Sequence, residues 1–187
     1  MRVITGSAKG RILFGVPGDS TRPITDRVKE ALFSILAAQG AIEDCRFLDL
    51  FGGTGAVGIE ALSRGAAEAV FCEKDRRALA ILHKNLALTG LAEQARVVAG
   101  DAFAFLQRTD AGPFDLVYIA PPQYRQLWEK ALLLMDARPT LLAADGQVIV
   151  QIYPKEDHSL SLSSLARLDE RTYGSTLLVF YGHATQE

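Results

Sequence analysis

The sequence predicts an α/β fold: a seven-stranded, mostly parallel sheet with an antiparallel C-terminal hairpin and a short N-terminal β-arm. Three observations carry that expectation. From Phe47 onward, short apolar runs alternate with amphipathic helical stretches, the rhythm of a doubly wound parallel sheet with right-handed crossovers. A glycine-rich turn joins the first of those runs to the helix that follows it. The last two strand-like runs meet tightly at Tyr173-Gly174, and a tight turn forces antiparallel pairing.

Taken in order, Arg2 to Thr5 and Arg11 to Val16 read as the strands of the arm, joined by the turn residues Gly6-Ser-Ala-Lys-Gly10. After the Pro17-Gly18 break, Thr25 or Asp26 can cap a helix with Val28, Leu32, Ile35 and Leu36 on one face, and Gly40 ends it. Strands are expected at Phe47 to Phe51, Ala69 to Glu73, Arg96 to Gly100, Phe114 to Ile119 and Gln147 to Tyr153. Helices fall between them near Ala56 to Arg64, Arg76 to Leu88, Ala102 to Gln107 and Leu127 to Met135. The second of these repeats Leu79, Leu82 and Leu86, and the last repeats Leu127, Ala131, Leu134 and Met135, at helical spacing. Arg167 to Thr172 and Ser175 to Tyr181 form the terminal hairpin. No repeat, linker or low-complexity segment interrupts the chain, so 1–187 reads as one domain, an arm over 1–20 and a core over 21–187.

Composition bounds the function. A chain of 187 residues with 49% hydrophobic content can bury an α/β core without disulfides or metals. No apolar run of 18 residues occurs and the N-terminus has no secretory-signal pattern, so a cytoplasmic protein with no membrane partner is expected. Cys45 and Cys72 have neither CxxC spacing nor a histidine cluster beside them, and read as reduced core thiols with no metal. The net charge of −2 argues against a protein that coats nucleic acid by bulk electrostatics. The charge is uneven, however: residues 1–30 hold six Lys or Arg against three acids, +3 against −5 for the remainder. A basic front end on an acidic body suits docking to phosphates at one place, although a solvated surface gives the same count.

The strand Phe47-Leu-Asp49-Leu-Phe51 runs into Gly52-Gly53-Thr54-Gly55-Ala-Val-Gly58 and then a helix. Open α/β sheets bind ligands at that carboxyl edge, and glycines there let the backbone approach a ligand beside free helix N–H groups. Gly53 to Gly58 matches G-x-G-x-x-G, and Glu73 with Lys74 follows at the end of the next strand, where an acid can accept both hydroxyls of a ribose. The motif alone fits NAD or S-adenosylmethionine. Asp49 favours the second, because a carboxylate there suits an ammonium-bearing methionine moiety and repels a pyrophosphate. Asp101, followed by Ala102 and Phe103, offers an acceptor for an adenine amino group and an apolar neighbour for its ring; a plain helix cap is the competing role.

The fourth strand ends in Ala120-Pro121-Pro122-Gln123-Tyr124. Two prolines stiffen the backbone and remove two N–H donors, leaving carbonyls that can accept from an exocyclic amine and orient its lone pair toward a methyl donor. Tyr124 can stack on a base swung out of its helix. A strand terminator with a packed tyrosine is the simpler role.

The segments Gly6 to Arg11, Thr21 to Phe33, Leu48 to Gly65, Glu73-Lys-Asp75 and Tyr173-Gly174 together resemble the bacterial 16S ribosomal RNA guanine-N2 methyltransferases of the RsmD type, over nearly the whole chain. The resemblance implies a Rossmann-like class I fold and S-adenosylmethionine as donor, with S-adenosylhomocysteine as product. The implied acceptor is a guanine of the small ribosomal subunit, naked or partly assembled, and the implied enzyme a monomer. It places Asp49, Phe51 and Gly52 to Gly55 at the methionine part, Glu73 at the ribose and Asp101 at the adenine. Lys9, Arg11, Arg22 and Arg27 would face RNA or the cofactor pocket. One position departs from the pattern: the family has Asp or Asn before the two prolines and an aromatic after them, whereas here Ala120 precedes and Tyr124 stands one place late.

That departure admits a second reading, a protein of this fold that binds RNA or cofactor with weak or no activity. An NAD-linked oxidoreductase has Asp49 and the terminal hairpin against it. A small-molecule methyltransferase leaves the basic arm without a role. His83, His158 and His183 form no triad by any spacing, and no hydroxyl has nucleophile-elbow spacing.

Overall fold

The computed structural model describes residues 1–17, 24–108, 110–122 and 125–185. The strands are β1 (Arg46–Asp49), β2 (Glu68–Glu73), β3 (Ala95–Ala99), β4 (Phe114–Ile119), β5 (Leu142–Ile152), β6 (Leu165–Tyr173) and β7 (Thr176–His183). The helices are α1 (Asp26–Ala38), α2 (Ala56–Ser63), α3 (Arg76–Thr89), α4 (Ala102–Leu106) and α5 (Leu127–Asp136). One sheet has the order β3-β2-β1-β4-β5-β7-β6. β1 to β5 run parallel, while β7 is antiparallel to both β5 and β6. The strand order reverses between β2-β1 and β4, which opens a crevice at their carboxyl ends.

Both faces of the sheet are covered, which is why the central strands are apolar runs rather than alternating ones. Phe47, Ala69, Phe71, Leu116, Ile149 and Phe180 point into a core shared with α1, α2 and α3. Leu48, Val70, Val117, Val148, Val150 and Val179 point into a second core completed by Phe105 of α4 and by Trp128, Leu132 and Met135 of α5. α1 is capped by the Thr25 hydroxyl, which accepts the Val28 N–H, and its chain leaves through Gly40 at φ 67°. α3 begins at Asp75, whose carboxylate accepts the Arg77 and Ala78 N–H groups, and ends on left-handed Gly90.

Three boundaries differ from the sequence reading. β1 stops at Asp49 instead of Phe51, because the chain turns there; Leu50 and Gly52 still donate to Tyr118 and Cys72 on the flanking strands. β5 starts five residues earlier than expected, around a register irregularity between Phe114 and Leu116 of its partner. The expected strands of the arm are reduced to a single antiparallel bridge, Arg2 to Ile12, closed by Val3 N–H to Arg11 O and Leu13 N–H to Met1 O. Several of their other backbone groups bond to side chains of α1, α2 and α3: Arg2 N–H to Asp26 and Arg2 O to Lys29, with the rest described below.

Cys45 and Cys72 are free and buried, and burial is the main cause that pushes both thiols up to about 12. Among the described residues no helix is long and apolar enough to cross a membrane, and no group of three His, Cys, Asp or Glu is placed to hold a metal ion.

Candidate cofactor and substrate site

The glycines after β1 divide the work. A Cβ on Gly55 would lie 2.3 Å from Leu82 of α3, and one on Gly58 would lie 2.3 Å from Phe71 of β2, so both are glycine to let helices pack closely. Gly53, at φ 53°, has nothing nearer than 3.9 Å and faces the open crevice. There a ligand can approach the bare backbone.

Asp49, at the tip of β1, is 2% exposed, and its carboxylate accepts the Gly58 N–H at 3.1 Å. Burial pushes its pKa up to about 7; the Gly58 bond opposes the rise and the Glu73 charge adds to it. Beside it in register stands Tyr118 of β4, whose buried hydroxyl donates to Gln151 of β5. Burial, and then the Asp49 charge, hold that phenol well above its ordinary pKa. A carboxylate kept near neutrality by its surroundings favours a cation that arrives to pair with it.

Glu73 ends β2 and reaches across the crevice mouth. One oxygen accepts Gly53 N–H at 2.8 Å, and the other accepts Lys74 N–H at 2.8 Å and Asp75 N–H at 2.7 Å. A carboxylate has about four lone-pair sites, so one remains for a ligand hydroxyl. Asp101 caps α4, both bonds going to Oδ1, from Phe103 at 3.0 Å and Ala104 at 3.1 Å. The capping role is therefore real, and Oδ2 is left toward solvent. Ala102 is buried beneath it. Half-buried Phe51 and Phe103 meet edge to face, 6.1 Å between centroids, beside these acids, and Lys130 lies over the Phe103 ring at 4.1 Å.

Acids at the tips of β1 and β2, an aromatic pair and an open glycine backbone fit a cationic nucleoside. They do not fit a pyrophosphate, which Asp49 and Glu73 would repel. At the next strand, half-buried Ala120 and Pro121 and exposed Pro122 follow β4. Gln123 and Tyr124, expected to complete that corner, lie outside the described residues, as does Arg22. Lys9, Arg11 and Arg27 are exposed and well separated in sequence from the crevice acids.

Sequence reasoning missed the polar residues that fix the arm against this site. Asn85 is fully buried: its amide oxygen accepts Phe14 N–H at 2.8 Å, and its amide nitrogen donates to Phe14 O at 3.1 Å and to Thr54 O at 2.9 Å. One side chain of α3 thus holds both the arm and the glycine turn. Glu60, on α2, accepts the Ile4 and Thr5 N–H groups at 2.8 and 3.1 Å and pairs with Arg64 and with buried Lys29. Burial lowers the Lys29 pKa against the opposing pull of Glu60. Lys29 adds to the charge of the basic front end, yet it is fully buried and cannot face a partner. The signal is present in the sequence: Glu60 interrupts the otherwise apolar Ala56 to Leu62, and Asn85 shares the inward face of Leu82 and Leu86.

Comparison with known proteins agrees with this geometry. Residues 1–182 match the family described as conserved hypothetical protein 95. Ribosomal RNA small subunit methyltransferase D of Escherichia coli K12 is 43% identical over 136 residues, 73% of this chain and 67% of that protein. The chain belongs to this RsmD family. A solved structure of the Escherichia coli candidate methyltransferase yhhF superposes with a TM-score of 0.85 at 36% identity, covering 100% of this chain and 99% of that one. An RNA methyltransferase from Salinibacter ruber, solved with S-adenosyl-L-homocysteine, shares the fold at 16% identity, with a TM-score of 0.66 over 89% of this chain and 95% of that one. The RsmD resemblance and the class I methyltransferase fold expected from the sequence both hold, with the β5-β7-β6 arrangement as the antiparallel hairpin.

Proposed function

We propose that this RsmD-family protein transfers a methyl group from S-adenosylmethionine to the exocyclic N2 of a guanine in 16S ribosomal RNA, as a cytoplasmic monomer. The observation that supports it most is a juxtaposition. Asp49 at the acidic tip of β1 is in register with Tyr118, and the diproline corner begins three residues further along that neighbouring strand. Cofactor side and acceptor side therefore adjoin at the point where the strand order reverses. When bound, S-adenosylmethionine supplies a methyl carbon on a sulfonium; the amine lone pair takes it as the C–S bond breaks, and the surplus proton leaves to water.

The chain's part is to hold and align. Asp49 pairs with the cationic methionine portion alongside Phe51 and the Gly52 to Gly55 turn. Glu73, steadied by the Lys74 N–H, offers its remaining lone pair to the ribose. Asp101 offers Oδ2 to the adenine amine, with Ala102 and the Phe51–Phe103 pair against the ring. Alignment by carbonyls of Ala120 and Pro121, with Gln123 as a further acceptor and Tyr124 stacked on the base, supplies the orientation that such a transfer chiefly needs. Lys9, Arg11, Arg22 and Arg27 meet the RNA backbone.

Ala120 is the specific observation that favours a second reading, a member that binds cofactor and RNA with little turnover. Nucleoside mass spectrometry separates the two. Small-subunit RNA from cells lacking the protein should gain N2-methylguanosine when incubated with protein and S-adenosylmethionine, as naked RNA or as subunits. Binding of S-adenosylhomocysteine without that gain on either substrate establishes the second reading. Removing the Gln123 amide should slow turnover with little change in cofactor affinity.

A further inference from the structure

On its β5 side, away from the carboxylates, the diproline corner adjoins a cleft of about 560 Å³ between the loops that follow β4 and β5. Its lining includes Arg125, Trp128, Glu129, Lys155, Glu156 and His158. The volume lies within the roughly 300–1,000 Å³ of ligand clefts. Arg125 is three residues past Pro122, a reach of at most about 11 Å. Lys155 is five residues past Val150, which pairs with Ile119 at the end of β4. Both basic side chains therefore rise from the edge of the sheet that carries the corner.

The charges in the cleft are unequally engaged. Glu129 stands 3.4 Å from His158 Nε2, and the Glu156 carboxylate accepts the Tyr153 N–H at 3.3 Å. Trp128 is buried and packs edge to face with His158, 5.2 Å between centroids, so the floor is fixed. Arg125 and Lys155 are exposed, and among the described residues neither forms an ion pair; the Lys155 ammonium stands 6.0 Å from the Tyr153 ring centroid. Glu129 Oε1 is buried and Glu156 is held by the backbone, so the exposed Arg125 and Lys155 are the charges of this cleft that stand open to an arriving anion.

Resting on the RNA-methylation reading, we propose that this cleft holds the RNA strand flanking the target guanine, with Arg125 and Lys155 each on a backbone phosphate. A base extruded into the corner keeps its neighbours attached, and the enzyme must hold the strand beside it. Immediately beside the corner, on the side of β1, β2 and α4, the carboxylates of Asp49, Glu73 and Asp101 repel phosphate. The β5 side is the direction the charges leave open. Unstacked single strands are held in this way by cations along the backbone.

The test is the double variant Arg125→Ala/Lys155→Ala, assayed on the RNA that the unaltered protein methylates. KM for RNA should rise roughly tenfold, as removal of two exposed charges from the RNA backbone implies. The slope of log Kd against log salt should fall by about 1.4, about 0.7 for each single-strand phosphate no longer neutralised. The Kd for S-adenosylhomocysteine should stay at its original value. Uncharged methylphosphonate linkages beside the target guanine should weaken binding to the unaltered protein and not to the double variant. A double variant with unchanged RNA KM and salt slope overturns the inference and leaves the methylation reading intact. Failure of the unaltered protein to methylate any RNA removes that reading and this inference with it.

Discussion

On the face covered by α1, α2 and α3, the apolar core encloses Lys29, Asp49, Glu60, Ser63 and Asn85, each no more than 4% exposed. On the face covered by α4 and α5, Asp136 is the one buried polar side chain among the described residues. Nearly all of the buried polarity on the first face points at the arm. Glu60 takes two of its N–H groups, the Ser63 hydroxyl accepts Ala8 N–H at 3.0 Å and donates to Thr5 O at 2.6 Å, and Asn85 takes Phe14. Apolar packing is non-directional and suffices where helices need only cover a sheet. Directional partners are needed where an arm with almost no ladder must lie in one place beside the proposed cofactor site.

The largest test of that contrast is Glu60→Ala. It leaves the Lys29 ammonium buried without its partner, together with two arm N–H groups, and should cost about 3–5 kcal/mol. Leu132→Ala on the other face should cost about 2–5 kcal/mol through a cavity and yet leave the arm as resistant to proteolysis as before. Chemical denaturation with limited proteolysis distinguishes a missing anchor from a missing volume. If Lys29→Met restores part of the stability of Glu60→Ala, the unpaired charge was the main cost.

Asp49→Asn separates function from stability on the same face. The carboxyl releases its proton near its ordinary value of about 4 in the unfolded chain, but at about 7 when folded. Its contribution to stability is therefore fully present below about pH 4, is lost as the pH rises toward 7, and stays lost above. The asparagine variant should be more stable than the parent at pH 8, by about 1.4 kcal/mol for each pH unit between the two values at most, with no gain at pH 4. Its affinity for S-adenosylmethionine should fall at least tenfold. In the parent that affinity should rise with pH up to about 7 and then level off, with proton release on binding seen by calorimetry in buffers of different ionisation heat. An affinity independent of pH from 5 to 8 removes Asp49 from the cofactor site.

How far the sequence revealed these features follows from the same contrast. β2 and β4 were legible almost to the residue because parallel strands covered on both faces must be apolar throughout. The glycine turn was legible because close packing on Leu82 and Phe71 excludes a Cβ. The first half of β5 was not, since Ala143-Ala-Asp-Gly146 carries no apolar pattern and pairs through an irregular register. The arm misled for a related reason. Its residues favour strands, but their partners are side chains 55 to 71 residues away. Local pattern reports that a polar residue sits on an apolar face; it does not report which backbone group that residue will reach.

Asn85→Leu asks whether the arm and the glycine turn are coupled through one amide. It removes a donor to Thr54 O and both bonds to Phe14, and should cost about 2 kcal/mol. Hydrogen exchange should localise the effect to the Phe14 N–H and the turn, and cofactor affinity should fall several-fold. Asn85→Asp keeps the acceptor for Phe14 N–H but turns a carboxyl oxygen toward the Phe14 and Thr54 carbonyls at a fully buried site, so it should cost at least as much as the leucine variant. Equal cofactor affinity in all three proteins would show that the arm is held independently of the site.

The smallest effect belongs to the apolar face. Asp136, the last residue of α5, accepts the N–H groups of Ser163, Ser164 and Leu165 and so ties the helix to the start of β6. Burial pushes its carboxyl up, but the three donors together outweigh that and hold it below the usual carboxylate range. A lowered folded value means that the stabilisation is present above the unfolded value of about 4 and is lost as the pH falls through the folded one. Asp136→Asn should therefore cost about 1 kcal/mol at pH 7, and the difference from the parent should shrink below pH 4, measured by urea denaturation at both. Because this clamp joins a helix to an edge of the sheet remote from β1 and β2, cofactor affinity should not change. A change would mean that the two faces share the site, and that the division of labour between directional and non-directional contacts does not follow the sheet.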